Sequence, residues 1–173
     1  MAATATYSAS MRTRKTSSSG NAKSAVACQE YYDDSYNYVG IVHFSGMALS
    51  GKVITGISLR VKADQAGYGG GHTKTVYVRK SKYQAVSQSG VTGGSYYGDA
   101  LGTFTGSFYG NTTTYTLSGS LLTNMAAYLA EGNNTICLFN PSPVKSSQGY
   151  STNYLQWSAC SIAVTYEEAA SQP

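Results

Sequence analysis

Proline and charged residues are both scarce in this chain. Only three prolines occur in 173 residues, and charged side chains make up 12% of the total. So little charge, beside ample aromatic and β-branched residues, excludes a disordered polyelectrolyte. The formal charge of +4 at pH 7 is mild. Because no nucleic-acid motif accompanies the basic residues, we expect no nucleic-acid partner.

Long apolar runs are also missing. No window of the sequence resembles a transmembrane span. Residues 1–15 lack the apolar stretch that a secretory signal requires. We therefore expect synthesis and use in the cytoplasm, or release without the general secretion route, and no membrane partner.

Groups that carry chemistry are few. Only two histidines are present, and His43 lies in the apolar run IVHF, which predicts a hydrogen-bonded core or edge residue. No G-x-S-x-G motif and no paired zinc-ligand spacing occur. We therefore expect a protein that is not an enzyme and holds no cofactor. Asp33 and Asp34, beside tyrosines, leave a structural calcium site as an alternative to a polar turn.

The three cysteines cannot all pair within one molecule. Cys28, Cys137 and Cys160 each lie in an apolar context, which predicts buried free thiols that pack as small hydrophobic residues. A Cys137–Cys160 disulfide is the alternative, and a reducing site of synthesis disfavours it.

The chain is rich in tyrosine and glycine, with 16 and 19 residues, and it carries a clear period of two. Over residues 53–63, Ile57, Leu59 and Val61 fall on one side of the predicted strand, and Arg60 and Lys62 fall on the other. A sheet with one apolar face must bury that face against a second layer. The sequence therefore predicts an all-β fold, a two-sheet antiparallel β-sandwich of the jelly-roll type, with an immunoglobulin-like sandwich as the alternative.

Most predicted strands are short, and a single helix is predicted. The helix begins at Ser120 as N-cap and ends at Gly132. Gly110-Asn111 predicts a hairpin between residues 103–109 and 113–118. The predicted strands cover residues 3–10, 24–29, 39–44, 53–63, 74–80, 103–109, 113–118, 135–139, 153–159 and 160–166.

These elements predict three parts of the chain. Residues 1–23 form an N-terminal arm and first strand, whose basic residues are candidates for docking a partner. Residues 24–166 form the sandwich, and residues 167–173 form a mobile tail.

Tyrosines are the candidate contact residues for a ligand or a partner. Tyrosine combines rigid contact area with one hydrogen-bonding tip, which suits protein and sugar recognition. Trp157 could stack on a sugar ring, but its apolar neighbours favour a core position. The tyrosines expected to face solvent are Tyr31, Tyr32, Tyr36, Tyr38, Tyr68, Tyr96 and Tyr97.

Residues 42–61 and 135–166 resemble a known group of jelly-roll domains. These are the DNRLRE-type domains of phage or prophage structural proteins and of bacterial surface proteins. A strand ending in Phe, a Leu-x-Gly step, an amphipathic strand and a closing Val-x-Tyr carry the resemblance. The matching positions are Phe44, Leu49, Gly51, Ile54, Ile57, Leu59, Val61, Val164 and Tyr166. The resemblance implies no catalytic residues.

Together these features predict a structural protein of a phage-like virion. It would be a tail, fibre, baseplate or capsid-decoration subunit that is assembled in the host cytoplasm, contacts other virion proteins and forms a homo-oligomer. Lack of an export signal favours a virion protein over a surface adhesin. A carbohydrate-binding module that contacts a cell-surface glycan through exposed Tyr and Trp side chains is the alternative function.

Overall fold

Antiparallel strands dominate the computed structural model, which describes residues 2–15, 21–23, 26–27, 38–66, 73–85, 90–107, 112–138 and 155–169. Helix α1 spans Gly119–Ala130, and one 3-10 turn covers Gly93–Ser95. The strands are β1 (Ala3–Lys15), β2 (Asn21–Lys23), β3 (Val26–Ala27), β4 (Tyr38–Phe44), β5 (Val53–Ala66), β6 (Thr73–Ser81), β7 (Tyr97–Ser107), β8 (Thr112–Thr116), β9 (Thr135–Leu138) and β10 (Leu155–Glu167).

The strands follow one continuous path that curls into two layers. Its order is β7-β6-β9-β4-β1-β10-β5-β8, with β2 beside β1 and β3 beside β10. Residues 3–8 of β1 pair with β10, and residues 9–15 pair with β4. The first layer therefore contains β8, β5, β10 and the start of β1, and the second contains the end of β1, β4, β9, β6 and β7. Among the strands on this path, the chain crosses between the layers within β1 and after β4, β5, β7, β8 and β9, which confirms the predicted all-β sandwich.

The hydrophobic core lies between these layers. Ile57, Leu59 and Val61 of β5 are 1–2% exposed, as the period of two predicts. Phe104 of β7 lies 6.4 Å from Trp157 of β10, centroid to centroid, so side chains of the two layers meet directly. Burial of this shared apolar face is the main stabilising contribution to the fold.

The predicted hairpin at Gly110-Asn111 is wrong. β7 pairs with β6, whereas β8 pairs with β5, so the two strands belong to opposite layers. Gly106 of β7 lies against the ring of Tyr115 of β8, and no side chain larger than hydrogen fits there. The two strands therefore stack through their faces and do not pair through their edges.

Helix α1 packs against β5 and β7 and so connects the two layers. Its N-cap is Ser118, two residues before the predicted Ser120, and Leu121 lies in the core, whereas Leu122 is half-buried. Gly132 ends the helix at φ 98°, as predicted. No helix in the described ranges has both the length and the apolar character to cross a bilayer.

A buried tyrosine fixes α1 to the second layer. The Tyr128 hydroxyl accepts hydrogen bonds from the backbone N–H of Ser81 at 3.0 Å and from Nε2 of Gln84 at 3.0 Å. It donates to the backbone oxygen of Thr135 at 2.6 Å. One side chain thus joins the helix, β6 and the start of β9, and burial raises the pKa of this phenol.

The first strand is longer than predicted and belongs to both layers. Arg14 is 3% exposed, and its Nη1 donates to the backbone oxygen of Val91 at 2.9 Å. This cation therefore serves the fold and is not exposed to a docking partner. Near the other end of the chain, the Glu168 carboxylate accepts hydrogen bonds from Lys52 Nζ at both of its oxygens, at 2.5 and 2.6 Å. The limits of the predicted arm and tail stay predictions.

Candidate interaction surface

The outer side of the first layer is a face of mostly small side chains, here called the hydroxyl face. Alternation along each strand sends the apolar residues inward and these residues outward. Apart from two cations on β5, every member is Ser, Thr or Ala. The hydroxyl face comprises Thr4, Thr6, Ser8, Ser58, Arg60, Lys62, Thr112, Thr114, Thr116, Ser161, Ala163 and Thr165.

Strand register aligns these residues in rows across four strands. One row runs from Ser8 through Ser161 and Arg60 to Thr114. Thr4 and Thr165 are joined by a hydrogen bond of 2.9 Å between their hydroxyls. Because neighbouring members of a row are about 4.8 Å apart, the rows place hydroxyl groups close together, with Arg60, Lys62 and Ala163 between them.

A β-bulge shapes a recess at one end of the hydroxyl face. The register of β10 shifts between Trp157 and Ala159, so Ser158 is the extra residue, and Ser158 and Ala159 are both exposed. Bulges bend a strand and redirect side chains. The recess beside it has a volume of about 310 Å³ and is lined by Ser8, Arg60, Lys62, Thr112, Ala159, Cys160 and Ser161.

The recess carries positive charge. Arg60 and Lys62 are exposed and lie two positions apart on the same side of β5. Among the described residues, an ion pair joins Lys52 to Glu168, and neither of these residues lines the recess. Asp64, the next acidic residue along β5, follows Lys62 by two positions. Two cations beside hydroxyl donors favour an anionic group such as a carboxylate or a sulfate.

The two described cysteines form no reactive site. Cys137 and Cys160 are free and buried, which confirms the prediction for these two thiols, and the alternative disulfide is absent. Burial raises the pKa of each thiol to about 12. Both stay protonated near neutral pH and are therefore poor nucleophiles. Cys28 lies outside the described residues.

No metal site emerges among the residues that the structure describes. These residues contain no group of three or more His, Cys, Asp or Glu side chains placed to hold an ion. Asp33 and Asp34 lie outside the described ranges, so the calcium alternative stays a prediction. His43 is half-buried, with Nδ1 2.8 Å from the Thr135 hydroxyl oxygen, which confirms a hydrogen-bonded histidine.

The structure separates the predicted contact tyrosines. Tyr31, Tyr32, Tyr36 and Tyr68 lie outside the described residues, as does the side chain of Tyr38 at the start of β4. These five stay predictions. The remaining two, Tyr96 and Tyr97, lie around the start of β7.

The expected solvent exposure of Tyr96 is wrong. Its side chain is 0% exposed, and its hydroxyl donates to the backbone oxygen of Ala85 at 2.8 Å. The guanidinium carbon of Arg14 lies 5.0 Å from its ring centroid. Tyr97 is half-buried, with Arg79 over its ring at 5.3 Å. Tyr96 therefore belongs to a second buried cluster, together with Val39, Ile41 and Cys137.

Trp157 cannot stack on a sugar. It is 0% exposed and packs near Phe104, as its apolar neighbours in the sequence favour. This removes the indole from the carbohydrate hypothesis. The sequence alone does not indicate the recess residues as a site, although alternation predicts Arg60 and Lys62 on the polar side of β5. Only the pairing of β10 with β5 and with β1 brings Ser161 and Ser8 beside them.

Comparison with known proteins identifies no family for this chain. No protein-family model matches the sequence. No curated protein matches it either. The resemblance to DNRLRE-type domains stays a prediction based on the positions given above.

Proposed function

We propose that the protein is a non-enzymatic structural subunit of a phage-like particle. It acts as a tail, fibre, baseplate or capsid-decoration component, and it contacts other particle proteins and its own copies. The observation that carries this proposal is the hydroxyl face: an exposed, regular sheet surface of small side chains, fixed by strand register in a stable two-layer fold.

The hydroxyl face has the physical character of a contact surface. Short Ser, Thr and Ala side chains lose little conformational entropy when a partner covers them. Short side chains on a sheet face also let another sheet approach to about 10 Å, the usual distance between packed layers. Its hydroxyls can donate and accept, so a partner can satisfy them by hydrogen bonds. An acidic group on that partner would pair with Arg60 and Lys62. The resemblance at Phe44, Leu49 and Gly51 supports the same class of protein.

Isolation of particles tests this proposal. Particles purified on a density gradient from the producing host should contain the protein at a fixed copy number that survives a high-salt wash. Ala163→Arg, which places a long side chain in the middle of the hydroxyl face, should reduce incorporation. Ser45→Arg, in the exposed turn after β4, is the matched control and should be incorporated normally. Complete particles without the protein would contradict the proposal.

The charged recess favours a second candidate, binding of an acidic glycan. Arg60 and Lys62 would pair with a carboxylate or sulfate group, and the hydroxyls of Ser8, Ser161 and Thr112 would bind sugar hydroxyls. This differs from stacking on Trp157, because charge and hydrogen bonds replace an aromatic platform.

A glycan array tests this second candidate. Sialylated or sulfated glycans should bind, and a double variant, Arg60→Ser with Lys62→Ser, should lose that binding. Lys82→Ser, which removes an exposed cation in the segment after β6, is the control. Absence of acidic-glycan binding, or binding that the double variant retains, would refute it.

A further inference from the structure

One edge of the curled sheet is open. β8 pairs with β5 through one edge, and no strand among the described residues pairs with its other edge. The backbone N–H of Leu117 donates to the oxygen of Ile57, so residues 113, 115 and 117 direct their backbone groups toward β5. By alternation, the N–H and C=O groups of Thr112, Thr114 and Thr116 point to the open edge.

Within the described ranges, this edge lacks the features that normally prevent strand pairing. β8 reads TTTYT, without a charged residue, a proline or a glycine, and its register with β5 has no shift. Natural edge strands are protected by charges, prolines, bulges or a covering element. Five β-branched or aromatic residues in a regular strand also have high strand propensity. β8 is therefore a ready template for another strand.

The other end of the sheet shows the contrast. β7 carries the exposed carboxylate of Asp99 and has two register shifts in its pairing with β6. Helix α1 covers part of it, because Nδ2 of Asn124 donates to the backbone oxygen of Leu101 at 2.9 Å. A recess of about 360 Å³ lies between β7 and β8, lined in part by Thr103, Thr105, Thr114 and Thr116. The described residues of β7 lie beside the open edge but form no backbone pairing with it.

We propose that β8 pairs with β8 of a second copy of this chain, antiparallel about a two-fold axis at Thr114. Thr114 would lie opposite Thr114 of the second copy, and Thr112 opposite Thr116. Because these residues carry the free backbone groups, such pairing forms about six hydrogen bonds. The inference rests on the proposed structural function and specifies how two copies of the chain would contact each other.

The side chains favour a copy of the same chain as the occupant. Two-fold pairing sets threonine against threonine on the outer face. Cross-strand Thr pairs are favourable, and the protein already contains one between Thr75 and Thr105, with hydroxyls 3.1 Å apart. Arg60 on β5 would lie about 14 Å from its counterpart, three strand spacings away. At physiological salt this separation exceeds the screening length of about 8 Å, so the repulsion between the two Arg60 side chains is weak. Added salt screens the remaining repulsion and should therefore strengthen the pairing slightly.

Measurement of mass by sedimentation tests the pairing on the purified full chain. The protein should form a dimer or larger assembly as its concentration rises. Thr114→Pro removes the central donor from each copy without removing a bond to β5, and should weaken association about tenfold or more. Thr114→Lys sets two like charges opposite each other and should also weaken it. Thr6→Lys adds the same charge three strands away and should leave association unchanged.

The outcomes separate this inference from the proposed function. Association that both Thr114 variants retain while folded overturns the β8 pairing. A wild-type chain that stays monomeric at every concentration also overturns it, and a cross-link from β8 to a different particle protein would then identify that protein's strand as the occupant. Particle isolation is scored separately, since absence of the wild-type chain from particles contradicts only the structural function.

Discussion

Gly106→Ala should destabilise the protein, because β7 and β8 are stacked face to face at this glycine. A Cβ at residue 106 would lie 2.3 Å from Cε1 and 2.7 Å from Cζ of Tyr115. Real Cβ atoms do not approach so closely, so the ring must move by more than 1 Å. That ring also packs against Phe104, with centroids 5.3 Å apart, so its displacement disturbs the contact between the layers.

Two opposing effects set the size of the change. Forcing an extra methyl group into a packed site costs about 1–3 kcal/mol. Alanine also restricts the unfolded chain, which offsets about 0.4–1 kcal/mol. The net loss in the free energy of unfolding should be about 1–2 kcal/mol. For a chain of this length, each kcal/mol lowers Tm by about 2–4 °C.

Thermal and urea unfolding measure this change, and a double-mutant cycle identifies its cause. In a Tyr115→Val background the ring is gone, so Gly106→Ala should become neutral or slightly stabilising. Gly56→Ala is the matched control, because its Cβ would meet Thr165 at an ordinary 3.5 Å. An equal loss at Gly106 with and without the Tyr115 ring would refute the stacking of β7 on β8.

Three further changes probe the interior. Tyr128→Phe should lower the free energy of unfolding by about 1–3 kcal/mol in urea titrations, because buried backbone groups lose their partner; no change would show that the hydroxyl network does not stabilise α1. Leu129→Ala should cost about 2–5 kcal/mol in the same assay, since the side chain is 0% exposed, and a loss below 1 kcal/mol would contradict its core position. Between pH 9 and 12 the unfolded state loses thiol protons that folded Cys137 and Cys160 retain, so stability should fall by about 1.4 kcal/mol per thiol at pH 10. Replacing both cysteines by alanine should flatten this pH dependence, and an unchanged slope would rule out the thiols as its source.

The sequence predicts much of the layer structure because one buried face imposes a period of two. The alternation at Ile57, Leu59 and Val61 is visible without any partner strand, and the structure confirms it. Local pattern cannot show which strands pair. Gly110-Asn111 has the composition of a hairpin turn, yet β7 pairs with β6 and β8 pairs with β5, and Tyr115 packs against Gly106 between the layers. β10 likewise runs unbroken from Leu155 to Glu167, where two strands are predicted. The bulge at Ser158 shifts the alternation of buried and outward-facing residues, so one strand contains both predicted patterns.

The candidate surface is only partly visible in the sequence for the same reason. Arg60 and Lys62 can be assigned to the polar side of β5 from alternation alone. Their neighbours Ser8 and Ser161 come from distant parts of the chain and meet them only through strand register. Tyr96 is buried, although the sequence predicts that it is exposed. Its Ser- and Gly-rich surroundings predict an exposed loop, whereas Arg14, 82 positions earlier in the numbering, covers its ring.

Hydrogen exchange of the backbone amides measures self-assembly through β8 most directly. The amides of Thr112, Thr114 and Thr116 face the open edge and should exchange quickly in dilute protein. At high concentration they should become protected, while the amides of Asp99 and its neighbours in β7 should not change. Protection in β8 that is the same at both concentrations, or that rises equally in β7, would contradict assembly through this edge.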